Sequence, residues 1–81
     1  MNIFVAKLSS NTTSQDLKDI FEQFGEVSSA KVIMDRDTQR SKGYGFVEMD
    51  DDNAAEAAIR ELNESEVDGR NIVVKKARPK E

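Results

Sequence analysis

Neither cysteine nor histidine occurs in the 81 residues. Their absence removes disulfides, thiol nucleophiles, imidazole general bases and the usual zinc sites, so no cofactor or metal is expected. Tryptophan is also missing, tyrosine occurs once, and the single proline, Pro79, lies in the tail. No run approaches the roughly 18 apolar residues of a membrane-spanning helix. Met1-Asn2-Ile3 begins neither a basic region nor an apolar stretch, so a secretory leader is not expected and the cytoplasm is the default compartment. Repeats, low-complexity segments and linkers are absent too. One domain fits this length, and it can bury only about 60–65 % of its unfolded surface.

What is present is charge and a small apolar inventory. Charged residues make up 35 % and hydrophobic residues 37 %, and the net charge is -4. On average that charge disfavours a polyanionic partner.

Alternating patterns mark four strands. Residues 2–8 place Ile3 and Val5 opposite Phe4 and Ala6. Residues 27–34 place Ala30 and Val32 opposite Lys31 and Ile33. Residues 43–49 set Gly43, Gly45, Val47 and Met49 against Tyr44, Phe46 and Glu48. Residues 71–76 set Ile72 and Val74 against Val73 and Lys75.

Two helices separate them. Thr13 with Asp16 three residues on forms a capping-box pattern, and Leu17, Ile20, Phe21 and Phe24 share one helical face up to the stop at Gly25. Asp50-Asp51-Asp52 puts carboxylates at the start of a helix over about 53–62, with an Ala55, Ala58, Ile59, Leu62 stripe. Small alanines there allow a close approach to a sheet. Asp68-Gly69 signals a turn. The order β-α-β-β-α-β predicts an α+β, ferredoxin-like sandwich: a four-stranded antiparallel sheet with two helices on one face and the other face open.

Strand parity then decides where the rings go. If Ile3, Val5, Val47, Met49, Ile72 and Val74 lie under the helices, Phe4, Tyr44 and Phe46 face outward. A one-residue slip would bury the rings but expose six aliphatic side chains, each worth about 1.5–3 kcal/mol buried. Three of five aromatics in water mark a binding surface rather than a satellite core. Gly43 and Gly45, read as leaving room on the helix side, hold Tyr44 and Phe46 to the other.

Charge is separated to match. Lys7, Lys31, Lys42, Lys75 and Lys76 are expected on the open face or its rims, with Arg36 and Arg40 in the loop and Arg78 and Lys80 in the tail. Most acids fall on helices and back loops; Glu48 on the face, and Asp35 and Asp37 in the loop, work against the trend. A locally positive face is compatible with an acidic average. Rings interleaved with cations suit nucleobases and phosphates, and a flat sheet cannot enter a duplex groove, so the expected ligand is single-stranded.

The octamer Lys42-Gly43-Tyr44-Gly45-Phe46-Val47-Glu48-Met49 resembles the longer RNP motif of the RNA recognition motif, departing from it at Met49. Ile3-Phe4-Val5-Ala6-Lys7-Leu8 resembles the shorter RNP hexamer, with Lys7 where asparagine is common. Leu17, Phe21, Phe24-Gly25, Ala58-Ile59, Leu62-Asn63 and Gly69-Arg70 also look like that family, so the resemblance spans the chain. It extends to the small single-domain RNA-binding proteins of bacteria and to the front half of plant glycine-rich RNA-binding proteins. The missing glycine-rich tail points to the bacterial type.

The resemblance implies that Phe4 and Tyr44 each stack under a base and that Phe46 sits against the sugars between them. It implies that Lys42 pairs with a phosphate, that Lys7, Lys31 and Ile33 lie beside the bases, and that Lys75 flanks them. Ala77, Arg78 and Lys80 would extend over the surface. Met49 faces the core, so its departure should affect packing only. Glu64, where the family usually has glycine, suggests a different turn.

The expectation is a non-catalytic domain over residues 1–78, with a short tail at 79–81, that binds single-stranded RNA. Single-stranded DNA is the alternative nucleic acid. A rival reading is an RNA recognition motif that binds protein, but such variants usually lose the stacking rings that this chain keeps. An enzyme is the weaker rival. Gly43-x-Gly45 lacks the third glycine and the strand-then-helix setting of a dinucleotide loop, and the Asp50–Asp52 run reads as a helix cap.

Overall fold

A computed structural model describes residues 1–77. The chain runs β1 (Asn2–Ala6), α1 (Ser14–Glu22), β2 (Ser29–Met34), β3 (Ser41–Glu48), α2 (Asp52–Leu62), β4 (Glu66–Val67), β5 (Arg70–Asn71) and β6 (Val73–Ala77). β2, β3, β1 and β6 form, in that order, one antiparallel sheet. The helices pack on one side, giving the expected split β-α-β fold. The tail proposed at 79–81, and the boundary at 78, lie outside the described residues.

Strand pleating sorts the side chains as expected. Ile3, Val5, Val47, Met49, Ile72 and Val74 are all 2 % exposed or less. They meet Leu17 and Phe21 of α1 and Ala55 and Ala58 of α2 in one core. Met49 faces that core. Ile20, Phe24, Ile59 and Leu62 pack at its margin. The α1 capping box is formed in both directions, Asp16 N–H to Thr13 Oγ1 and Thr13 N–H to Asp16 Oδ2, each at 3.1 Å. Asp51 caps α2 by accepting from Asn53 and Ala54.

Gly45 has a different reason from the one expected. A Cβ there would collide with the Lys31 carbonyl and lie 3.0 Å from the Val32 Cα. The crowding comes from the backbone of β2, beside the register shift between Val32 and Met34, and not from the helices. Gly43 is left-handed, at φ 89°.

β1 stops at Ala6, two residues before the predicted end. Lys7 takes φ 60°, which breaks the alternation and swings Leu8 into the core while Leu8 N–H bonds the Gly43 carbonyl at 2.8 Å. The small β4–β5 hairpin was not expected as strands, although Asp68-Gly69, read as a turn, is its tip. Thr12, 2 % exposed, ties it down by donating to Asp68 Oδ2 at 2.7 Å. Glu64 adopts φ 67°, a conformation natural to glycine, and its N–H bonds the Ile72 carbonyl.

Both sheet edges are partly closed by side chains next to the helices. Ser14 Oγ accepts from Val32 N–H on β2 at 2.9 Å, and Asn63 Oδ1 accepts from Val74 N–H on β6 at 3.0 Å. Each bond removes one donor that a foreign strand would use.

Two substitutions test these local arguments. Gly45→Ala should destabilise the fold by about 1–3 kcal/mol, because the added methyl meets backbone. Glu64→Gly should stabilise it by about 0.5–1 kcal/mol, the relieved left-handed strain outweighing the entropy of glycine. Urea midpoints at unchanged slope read both.

Candidate functional site

The helix-free face of the sheet is a grid set by the strand register. One row reads Lys31, Phe46, Phe4, Lys75 across β2, β3, β1 and β6. A neighbouring row contains Tyr44, Ala6 and Val73, with Ile33 on the β2 side. The row on the other flank reads Ser29, Glu48, Asn2, Ala77.

The three rings form one cluster on the two central strands. Phe4 and Phe46 are direct cross-strand partners with centroids 5.5 Å apart. Tyr44 lies 6.0 Å from Phe4 and meets Phe46 edge-on at 6.5 Å. Such contacts are each worth about 0.5–1.5 kcal/mol beyond area burial. Phe4 and Tyr44 are half-buried by their neighbours, and Phe46 is 42 % exposed. The cluster is therefore packed ring on ring yet open, with none of its rings in the core.

Lysines flank it on both sides. Lys75 Nζ lies 5.5 Å from the Phe4 centroid, a cation–π contact worth about 0.5–1 kcal/mol at an exposed site. Lys31 is exposed beside Phe46. Lys7 is exposed just past β1. Lys76 is the exception. It pairs with Ile3 and so falls on the helix-side parity of the edge strand, not on the open face. Among the described residues no lysine or arginine side chain lies within 4 Å of a carboxylate, so none of these cations is ion-paired.

The β2–β3 loop is ordered by Asp35. Its Oδ1 accepts from Asp37 N–H at 2.8 Å and from Thr38 N–H at 3.3 Å, while Asp35 N–H bonds the Arg40 carbonyl at 2.7 Å. Arg36 and Arg40 project from this turn and are exposed. The amide hydrogen bonds hold the Asp35 carboxyl below its ordinary value, with a smaller contribution from the nearby Lys42 charge. Lys42 itself is exposed at the start of β3.

The sequence-predicted residues thus separate into groups. Phe4, Tyr44, Phe46, Lys31, Ile33, Lys75 and Ala77 come together on the sheet face. Arg36, Arg40 and Lys42 lie at the loop end, and Arg78 and Lys80 lie outside the described residues. Asn2 and Ser29 were missed. Strand alternation alone would have placed Asn2 on the face of Phe4 and Ser29 on the face of Lys31; that both flank Glu48 follows only from the pairing register of β1, β2 and β3. With Lys31, Phe46 and Glu48 they line a shallow depression of about 580 Å³.

Comparison with known proteins agrees with this geometry. A family model described as the RNA recognition motif matches residues 3–73. The chain is 48 % identical over 75 residues to the mitochondrial glycine-rich RNA-binding protein 2 of Arabidopsis thaliana, covering 93 % of this chain and 48 % of that protein. It thus spans about half the length of that relative. It is 44 % identical over its whole length to the putative RNA-binding protein RbpD of a Nostoc species, covering 86 % of that protein. The crystal structure of RNA binding protein PG1 superposes with a TM-score of 0.92 at 49 % identity, covering 99 % of each chain. The Rna15 RRM solved with bound RNA gives a TM-score of 0.86 at 26 % identity, covering 96 % of this chain and 83 % of that one.

The loop yields a pH prediction. Because the folded-state value of Asp35 is depressed, its stabilising contribution is complete above the ordinary aspartate value of 3.8 and is lost as pH falls through the lower folded-state value. Amide shifts of Asp37 and Thr38, followed by NMR on acidification, should titrate with a midpoint below 3.8. A midpoint above 3.8 contradicts the assignment.

Proposed function

The chain belongs to the RNA recognition motif family, and from that premise we propose that it binds single-stranded RNA, without catalysis, across the helix-free face. The observation that carries the reading is the cluster of Phe4, Tyr44 and Phe46 at 5.5–6.5 Å spacings, outside the core and flanked by lysines that are not ion-paired among the described residues. Every base has a π-face, and stacking on an aromatic side chain is worth about 1–3 kcal/mol per base.

Phe4 and Tyr44 each take one base, and Phe46 packs against the sugars between them. A base arriving on Phe4 moves Lys75 aside, and a long flexible side chain does this at small cost. Lys42, Arg36 and Arg40 meet phosphates at the loop end. Lys7, Lys31 and Ile33 lie beside the bases, and Lys75 and the Ala77 backbone flank them on β6. Arg78 and Lys80 extend this basic edge in sequence. The relatives' names support RNA as the ligand, as does the Rna15 domain solved with RNA. The flat face supports a single strand over a duplex.

Replacing both Phe4 and Tyr44 with alanine should weaken binding of a short RNA by about 2–6 kcal/mol. The far-UV circular dichroism should not change, because neither ring is in the core. A folded double variant that binds as tightly as the parent rejects the stacking roles. Lys42→Ala should weaken binding to all sequences alike and lower the slope of log affinity against log salt by about 0.7. An unchanged slope removes Lys42 from the phosphate contacts.

A further inference from the structure

Glu48 has no place in the stacking scheme. Among the described residues it is the only acid on the helix-free face, in the row Ser29, Glu48, Asn2, Ala77. It is exposed, on a central strand, and no described lysine or arginine lies within 4 Å of it. A carboxylate there repels phosphate, so for binding a polyanion by charge alone it is counterproductive. It lines the 580 Å³ depression with Asn2, Ser29, Lys31 and Phe46. That volume lies within the range of small-molecule sites, roughly 300–1,000 Å³.

An ionised carboxylate only accepts hydrogen bonds, and it offers two oxygens side by side. In a single strand the Watson–Crick edge of each base is free. Guanine alone presents two parallel donors there, N1–H and one N2–H, which match the two oxygens as a fork. Adenine offers only its N6 amino group and turns the N1 lone pair toward the carboxylate. Cytosine does the same with N4 and N3. Uracil has one N3–H between two repelling carbonyl oxygens. Lys31, one row over on β2, supplies a donor for guanine O6, and the exposed Phe46 ring supplies an apolar wall.

We propose that Glu48 is a specificity-determining residue that selects guanine for the depression beside Phe46. The base donates N1–H and N2–H to the carboxylate and accepts at O6 from Lys31. This rests on the RNA-binding reading above and adds to it a preferred base at one position. Charge-assisted, two-point pairing is the strong form of such a contact.

The test uses four octaribonucleotides: all uridine, or uridine with one internal guanosine, inosine or adenosine. Each is titrated by fluorescence anisotropy against the parent chain and against Glu48→Gln at about 0.1 M salt. In the parent chain guanosine should bind about 5- to 50-fold tighter than adenosine or uridine. Inosine, which keeps N1–H but lacks the amino group, should fall between. In Glu48→Gln, where an amide donor opposes the guanine donors, the guanosine advantage should shrink to about twofold or less, while affinity for the all-uridine strand holds or rises. A guanosine advantage that persists in Glu48→Gln overturns the proposal and leaves RNA binding standing. So does a parent chain that binds all four equally. Failure of the parent chain to bind any of the four overturns both readings together.

Discussion

A strand sends alternate side chains to opposite faces, and in this molecule only one face of the sheet is covered by helices. The aliphatic positions Ile3, Val5, Val47, Ile72 and Val74 must be dry, because a domain of this size has little other core. Their burial leaves Phe4, Tyr44 and Phe46 no place except the uncovered side. The ring cluster is thus a consequence of core packing as much as a feature in its own right. Gly45 sharpens it: only a residue without Cβ lets β2 approach β3 closely enough to hold Lys31 against Phe46.

The electrostatics follow the same division. Most of the acids that give the chain its negative charge lie on the helices, their caps and the connecting loops, and Asp16 and Asp51 satisfy amides at the helix starts. The cations around the rings have no carboxylate partners among the described residues. A net charge of -4 therefore coexists with a helix-free face whose lysines are not ion-paired among the described residues. Ser14 and Asn63 cover one edge N–H on each side of the sheet, which blunts strand addition at the edges.

Much of this was legible in the sequence, and the exceptions have physical causes. Periodicity located the four strands and both helices, because apolar positions repeat at two and at 3.6 residues. The Thr13 cap was legible from its spacing to Asp16, and the Asp50–Asp52 run marked the start of α2 without showing that Asp51 is the capping residue. The break at Lys7 was hidden, since a left-handed lysine carries no signature that separates it from a strand lysine. The β4–β5 hairpin was hidden because its strands are two residues each, too short to show alternation. Gly45 was noticed, but its crowding neighbour belongs to another strand. The left-handed backbone at Glu64 was hidden because glutamate carries no signature of positive φ. On the site, parity supplied the rings and put Glu48 on their face, whereas the alignment of Ser29, Glu48, Asn2 and Ala77 in one row required the registers between strands.

One measurement reaches the central claim directly. Tyr44 is the only tyrosine and tryptophan is absent, so intrinsic tyrosine fluorescence reports on a single ring of the cluster. Titration with a short single-stranded RNA should quench that emission, and the quenching should saturate at the same RNA concentration as binding followed by anisotropy. Saturable RNA binding with unquenched tyrosine emission would contradict base stacking on the sheet face.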